Sequence, residues 1–342
     1  MGAITTICTD KTGTLTVGEM RVSHILTGTN ELLDFAQKNA LLQTKNTDIA
    51  GHAKALHIAA IVNDAYAEGA RHDLHEEGNV HGRPTDRALL IAARHVGIDV
   101  DAFRMRYPEI DKELFTSEKK YAIRVHEMEG DKVKIMILGA PEVILQKMRF
   151  VDANNVKMPF SKRDEKQLTK TLEELTKRGL RVIACGERVL TRDTYDRLSK
   201  NKRYTDMSLV GYIALKDPLR HDVESSLAKA ENAGIRLTLI TGDHASTARS
   251  IMLELGHNVP ASKISVGDAI SEMSDDELQE RVTDTQIFAR VLPEHKIRIV
   301  RALQKNGEVV AMVGDGINDA PAIKASDVGI SVGNGKRLNK GA

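Results

Sequence analysis

An α/β protein with a parallel sheet, interrupted by a large α+β insertion, is the fold this sequence predicts. Three observations predict it. Short apolar runs alternate with helical segments between residues 210 and 332, the rhythm of a parallel sheet covered on both faces. A lone strand-like run, ITTIC at 4–8, stands far upstream of them. The region in between follows a different pattern, with a hairpin and amphipathic helices.

Taken in order, ITTIC is read as one more strand of the parallel sheet, separated from its neighbours by the insertion. Inside the insertion, ELLDFAQKNALLQ (31–43) and DRALLIAARHVG (86–97) have apolar residues at helical spacing. The polar stretch at 71–83 reads as a loop. YAIRVHEMEGDKVKIMILGA (121–140) reads as two β-type runs around a Gly-Asp turn. A helix at 164–179, a strand at 180–189 and the run 208–217 complete an α+β module expected to hold an antiparallel sheet, with boundaries near residues 20 and 216. Beyond it come a helix (222–234) closed by glycine, the strand RLTLI (236–240), a turn at 241–243 and a helix (244–256). The strand QIFAR (286–290) precedes a helix (293–307) with proline in its first turn and glycine at its stop. The strands EVVAMVGDG (308–316) and VGISV (328–332) close the series.

Composition narrows the function. With 342 residues, 41 % hydrophobic and 28 % charged, the chain is long enough for two folded domains. The 49 basic and 48 acidic residues leave a net charge of +1, which argues against a generic nucleic-acid binder. Cys8 and Cys185 are the only cysteines, so neither a disulfide framework nor a Cys-rich metal site is expected. No stretch reaches the apolar length of a membrane span, and no signal peptide is visible. His72, His75 and His81 fall within ten residues; a polar loop is the preferred reading over a zinc site, because no cysteine joins them.

Ligands of open α/β sheets gather beyond the carboxyl ends of the strands. Asp10 follows ITTIC, and Thr241, Gly242 and Asp243 follow RLTLI. Lys296 lies early in the helix after QIFAR; Asp315, with Asn318 and Asp319 beyond it, follows VVAMV. Each alone is an ordinary cap, turn or solvated residue. Together they suit phosphoryl chemistry. Asp10 can act as nucleophile if its charge is partly neutralised. Asp315 can hold Mg²⁺, and Lys296 can offset charge on the phosphoryl group. Thr12 and Thr241 can donate hydrogen bonds, while Gly13 and Gly242 allow close backbone approach.

DKTGT (10–14), TGD (241–243), GAPE (139–142), DPLR (217–220) and MVGDGINDAP (312–321) resemble, in this order, the cytoplasmic catalytic loop of P-type cation-transporting ATPases. The resemblance spans nearly the whole chain and implies a Rossmann-like, haloacid dehalogenase-like phosphorylation domain at 1–20 and 216–342. A large inserted α+β nucleotide-binding domain would occupy 21–215. It implies ATP as substrate and Mg²⁺ as cofactor. Asp10 would accept the γ-phosphoryl group, with Lys11 beside it in the motif, and Thr12 would contact phosphate and Mg²⁺. Asp10 and Asp315 complete the implied metal set. Thr241, Gly242, Asp243, Lys296 (in RVLPEHK), Asn318 and Asp319 would surround the phosphate. LFTSEKK (114–120) resembles the family's adenine segment, which gives Phe115 as the stacking ring and Lys120 as its lysine. Asp86, Gly139 and Arg181 align with further nucleotide contacts.

Two departures stand out. LGAPE replaces the commoner KGAPE, so Leu138 removes a charge beside the nucleotide, and DPLR replaces DPPR. The GAPE segment, the large insert and the lack of a His-Pro motif favour the P2 group, with P3 as the other option. The resemblance also implies an actuator and membrane helices that this sequence does not contain. It is therefore expected to be the loop between two such helices, cytoplasmic in the full pump and monomeric alone. The expected chemistry is autophosphorylation of Asp10 with little turnover. Two alternatives stay open: a soluble phosphatase of the same superfamily, disfavoured because Thr12 stands where its acid–base Asp would be, and a catalytically idle nucleotide-binding module.

Overall fold

The computed structural model describes residues 4–37, 47–68, 80–153, 155–315 and 319–332. The chain divides into two compact units. The first comprises Met1–Glu19, Lys177–Gly179 and Asp217–Ala342, and the second Met20–Thr176 and Leu180–Lys216.

The first unit holds a six-stranded parallel sheet in the order Ile264–Val266, Ile287–Ala289, Arg236–Ile240, Thr6–Thr9, Val310–Gly314, Val328–Ser331. The N-terminal strand Thr6–Thr9 therefore pairs on both sides, with Arg236–Leu239 and with Val310–Val313. Side chains alternate between the two faces. Cys8, Ile240, Phe288 and Met312 pack with Ile270, Leu278, Val282 and Ile299 of the helices Gly267–Glu272, Asp275–Asp284 and Pro293–Lys305. Ile7, Leu237, Leu239 and Ile287 face the other way, toward Val223, Ala248 and Met252 of Val223–Asn232 and Ala245–Glu254. Burying both faces explains why these strands read as continuous apolar runs.

The second unit carries a nine-stranded sheet. Its path runs Val156–Pro159, Met148–Ala153, Met207–Lys216, Arg181–Thr191, Lys132–Gly139, Tyr121–Met128, Glu109–Glu113; Arg21–Thr27 pairs with Met207–Lys216 and with Leu32–Asp34. The hairpin at 121–139 turns through Gly130 and Asp131, both at positive φ. One face buries Met136, Leu138, Ile183 and Ile213 against the helices Thr47–Val62 and Pro84–His95. The other buries Ile135, Ile137 and Tyr212 against Leu168 of Lys162–Lys177.

Several expectations need correction. The sheet of the insertion is not purely antiparallel, because Met207–Leu209 run parallel to Met148–Val151. Residues 32–34 are a strand rather than the start of a helix: Leu32, Leu33 and Asp34 pair with Leu26, Ile25 and His24, and cross-strand pairing overrides the helical spacing. Phe35–Gln37 form a single 3-10 turn, and the rest of that predicted helix, 38–43, lies outside the described residues. The stretch 71–83 is not all loop, since Val80 and His81 pair with Ala67 and Tyr66. His72 and His75 lie outside the described residues, while His81 sits 3.0 Å from Glu68 and stacks on Tyr66.

Candidate functional site

Two sets of predicted residues converge, one in each unit. In the first unit, the strand Thr6–Thr9 delivers Asp10 to the carboxyl edge of the sheet, beside Arg236–Ile240 and Val310–Gly314. Asp10 Oδ1 accepts the Lys11 N–H at 2.8 Å, which leaves Oδ2 pointing to Lys296 Nζ at 3.3 Å. The same ammonium donates to Asp319 Oδ1 at 2.5 Å. Lys296 and Asp319 are buried, at 6 % and 0 % side-chain exposure. Burial pushes the Asp10 carboxyl up to about 6; Lys296 opposes the rise and Asp319 adds to it. The acid is thus poised close to neutrality while still ionised at pH 7.

Two glycines let these groups approach. Gly13 has φ +71°, and a Cβ there would lie 3.3 Å from the Asp315 Cβ. A Cβ on Gly314 would collide with Asp319 Oδ2. Gly242 behaves differently: its nearest neighbour would be Val291 O at 3.7 Å, an ordinary contact. The protein's own packing therefore leaves room beside Gly242. Thr241 is buried and accepts the Asp243 N–H at 3.2 Å, and Asp243 pairs with Lys11 at 2.5 Å. Thr12 is exposed at the turn. Asn318 lies outside the described residues.

The turn is braced by residues that the sequence reading left without a role. Arg220 donates from Nη2 to Gly13 O at 2.7 Å and from Nε to Thr14 O at 3.1 Å. The Thr16 hydroxyl accepts the Gly13 N–H at 3.2 Å and donates to Asp217 at 2.7 Å. Arg220 and Asp217 are the outer letters of DPLR, so the motif contained the signal without its meaning.

Among the described residues, no three acidic, His or Cys side chains converge as a ready-made metal cage. Mg²⁺ takes one or two carboxylates and completes its shell with water and phosphate oxygens. Asp10 and Asp315 flank one turn and offer only oxygen, and the buried Asp319 Oδ2 has no hydrogen-bond partner. The donors fit a hard divalent cation.

In the second unit, Asp86, Phe115, Lys120, Gly139 and Arg181 all line one cleft of about 620 Å³. Phe115 is 37 % exposed, on the segment joining Glu109–Glu113 to Tyr121–Met128. Asp86 is buried in the first turn of Pro84–His95. Lys120 takes a left-handed backbone (φ +58°) and lies 3.4 Å from Glu142. Gly139 makes that bend possible, since a Cβ there would sit 2.5 Å from Lys120 O. Leu138 is buried in the cleft wall, and Arg181 opens its strand at the rim. Arg83, not singled out from sequence, also lines the cleft: its Nε donates to Asp86 at 2.8 Å and its guanidinium lies 5.3 Å from the Phe115 ring centroid.

A family model described as "P-type ATPase, cytoplasmic domain N" matches residues 52–222, half of the chain. The chain belongs to the P-type ATPases. Calcium-transporting ATPases of Listeria monocytogenes and Bacillus subtilis are 32 % and 33 % identical over 99 % and 97 % of it. A probable cation-transporting ATPase F of Mycobacterium tuberculosis is 34 % identical over 98 %. These alignments cover 37 % to 38 % of the relatives, so this P-type ATPase chain spans a little over a third of their length. Among its described residues no helix is long and apolar enough to cross a membrane. The family match lies mainly in the unit with the cleft, whereas the similarity to the relatives extends over nearly the whole chain.

Proposed function

We propose that this chain is the ATP-binding, self-phosphorylating part of a cation pump, with Asp10 as phosphoryl acceptor. The observation that carries the reading is the Asp10–Lys296–Asp319 cluster at the carboxyl edge of the parallel sheet. The strand order, with the nucleophile's strand central, supports a haloacid dehalogenase-like phosphorylation domain at 1–20 and 216–342. The cleft lined by Phe115 supports a nucleotide-binding domain at 21–215.

In the proposed reaction, the adenine stacks on Phe115, with Lys120 and Arg181 near the phosphates. Asp10 Oδ2 attacks the γ-phosphorus in line, the bond to the β–γ bridging oxygen breaks, and ADP leaves with that electron pair. Lys296 moderates the charge of Asp10 beforehand and that of the phosphoryl oxygens afterwards. Asp319 holds Lys296 in place, while Thr12, Thr241 and the N–H groups at 242 and 243 donate to the transferred group. Lys11 is held by Asp243, and Asn318 belongs to the same set. Mg²⁺, held by Asp10, Asp315 and the Thr12 carbonyl, would neutralise phosphate charge and orient the oxygens. The calcium and cation names of the relatives suggest the cargo of the whole pump, which would add actuator and membrane domains.

Incubation with Mg·ATP followed by intact mass spectrometry tests the reading. A single phosphoryl increment, absent in Asp10→Asn, is expected. Labelling that survives Asp10→Asn would overturn it, and nucleotide binding with no labelling under any condition would favour an idle binding module.

A further inference from the structure

Arg83 occupies an unusual place in the cleft. Its backbone is extended, as the residue before Pro84 must be, and it leads into the helix Pro84–His95. Its side chain is 53 % exposed, but two carboxylates restrain it: Asp86 accepts from Nε at 2.8 Å, and Asp64 lies 3.7 Å from Nη2. Asp64 also binds Arg124, whose Nε lies 3.2 Å from Glu109. Under these restraints the guanidinium lies over the Phe115 ring at 5.3 Å. The Arg83 guanidinium and the Phe115 ring thus lie against each other in the lining of a cleft large enough for a nucleoside.

We propose that Arg83 is the second wall of a purine slot whose first wall is Phe115, so that the base lies between guanidinium and phenyl ring. This rests on reading the cleft as the nucleotide site. A base in contact with both planes needs about 7 Å between them, twice the ~3.5 Å contact distance, so Arg83 must withdraw by about 2 Å from its present 5.3 Å. The half-exposed side chain can open this gap by a small change in its own torsions while its Nε stays bonded to Asp86. That bond also keeps the Asp86 carboxylate beside the slot, where it can accept from an exocyclic amino group of the base.

Isothermal titration of the full chain with AMP and with ADP tests the slot. Arg83→Ala is expected to weaken both ligands by the same factor, about five- to tenfold for a stacked guanidinium. The loss should persist at high salt, and Arg83→Lys should not restore binding, because an ammonium has no plane to stack. Unchanged or tighter binding in Arg83→Ala would show that Arg83 only covers the ring and is displaced. A loss larger for ADP than for AMP that fades with salt, or full rescue by lysine, would reduce its role to charge; either result overturns the slot. Phe115→Ala separates the two levels of the argument. If it weakens AMP while Arg83→Ala does not, the slot alone fails. If neither substitution matters, the cleft is not the nucleotide site.

Discussion

Asp10 and Asp319 come from opposite ends of the chain and share one ammonium, Lys296, at 3.3 Å and 2.5 Å. A buried and a half-buried carboxylate around one cation leave an excess of negative charge where a phosphate is proposed to dock. A cation arriving with the phosphate would balance it, so Mg·ATP is expected to be preferred over free ATP.

Lys296→Met should remove phosphorylation of Asp10 and also destabilise the parallel-sheet unit. Breaking a buried ion pair by deleting one partner costs roughly 3–5 kcal/mol. Chemical denaturation should show this loss, and the double change Lys296→Met with Asp319→Leu should recover part of it without recovering labelling. Equal stability of the single variant and the parent would contradict the assigned burial.

The brace on the Asp10 turn makes a separate prediction. Arg220→Ala leaves the carbonyls of Gly13 and Thr14 without their donor. Gly13→Ala forces a side chain into φ +71° against Asp315; the left-handed conformation alone costs roughly 1–2 kcal/mol. Both should slow labelling at saturating ATP by tenfold or more, while ADP affinity at the cleft stays at the parental value. A titration and a quench time course distinguish the two effects.

Gly139→Ala should do the reverse. Its Cβ would meet Lys120 O at 2.5 Å and Tyr121 Cβ at 2.6 Å, so the bend carrying Lys120 must move. Stability of the cleft-bearing unit should fall by roughly 1–3 kcal/mol, and ADP binding should weaken. If ADP binds as before, Lys120 does not need its left-handed geometry to serve the site.

The insertion should also lose stability on mild acidification. Burial lowers the pKa of His57 to about 4, with Lys134 and His126 pushing the same way and Glu187 opposing. Its ring packs edge-on against Phe103 at 4.9 Å. Because the folded pKa lies below the unfolded value of 6.5, the stability it contributes is complete above pH 6.5 and lost as pH falls toward 4. The full loss is on the order of 3 kcal/mol. His57→Leu should flatten this part of the stability profile, measured by urea unfolding between pH 7 and pH 4.

Much of the fold was legible because the inner parallel strands are buried on both faces and punctuated by glycine and proline, although Val328–Ser331 at the sheet edge is exposed. RLTLI is observed as the strand Arg236–Ile240, and the helix at 293–307 is observed as Pro293–Lys305. What escaped had weaker local signals. The helix Thr47–Val62 is buried on nearly every side from Ala55 to Val62, so it shows no amphipathic stripe. The helix Asp275–Asp284 did carry a readable start, the Ser274–Glu277 capping box. The strand at 32–34 was hidden because it is only three residues long and its leucines also fit helical spacing, while the hairpin pairing with His24–Leu26 is what decides it.

By itself, the sequence determined which residue types stand at the strand ends and in what order: Asp10, Thr241, Lys296, Asp315 and Asp319. Local patterning suffices for that, because Asp10, Thr241 and Asp315 follow apolar runs directly, and Lys296 and Asp319 lie at the starts of the helices after such runs. Only the tertiary structure decided that Lys296 binds both Asp10 and Asp319, that Arg220 clasps the Gly13 turn, and that Arg83 lies over Phe115. Those relationships depend on strand order and on the approach of backbones tens to hundreds of residues apart. No local periodicity encodes a distance between such residues; the packing of the folded chain sets it.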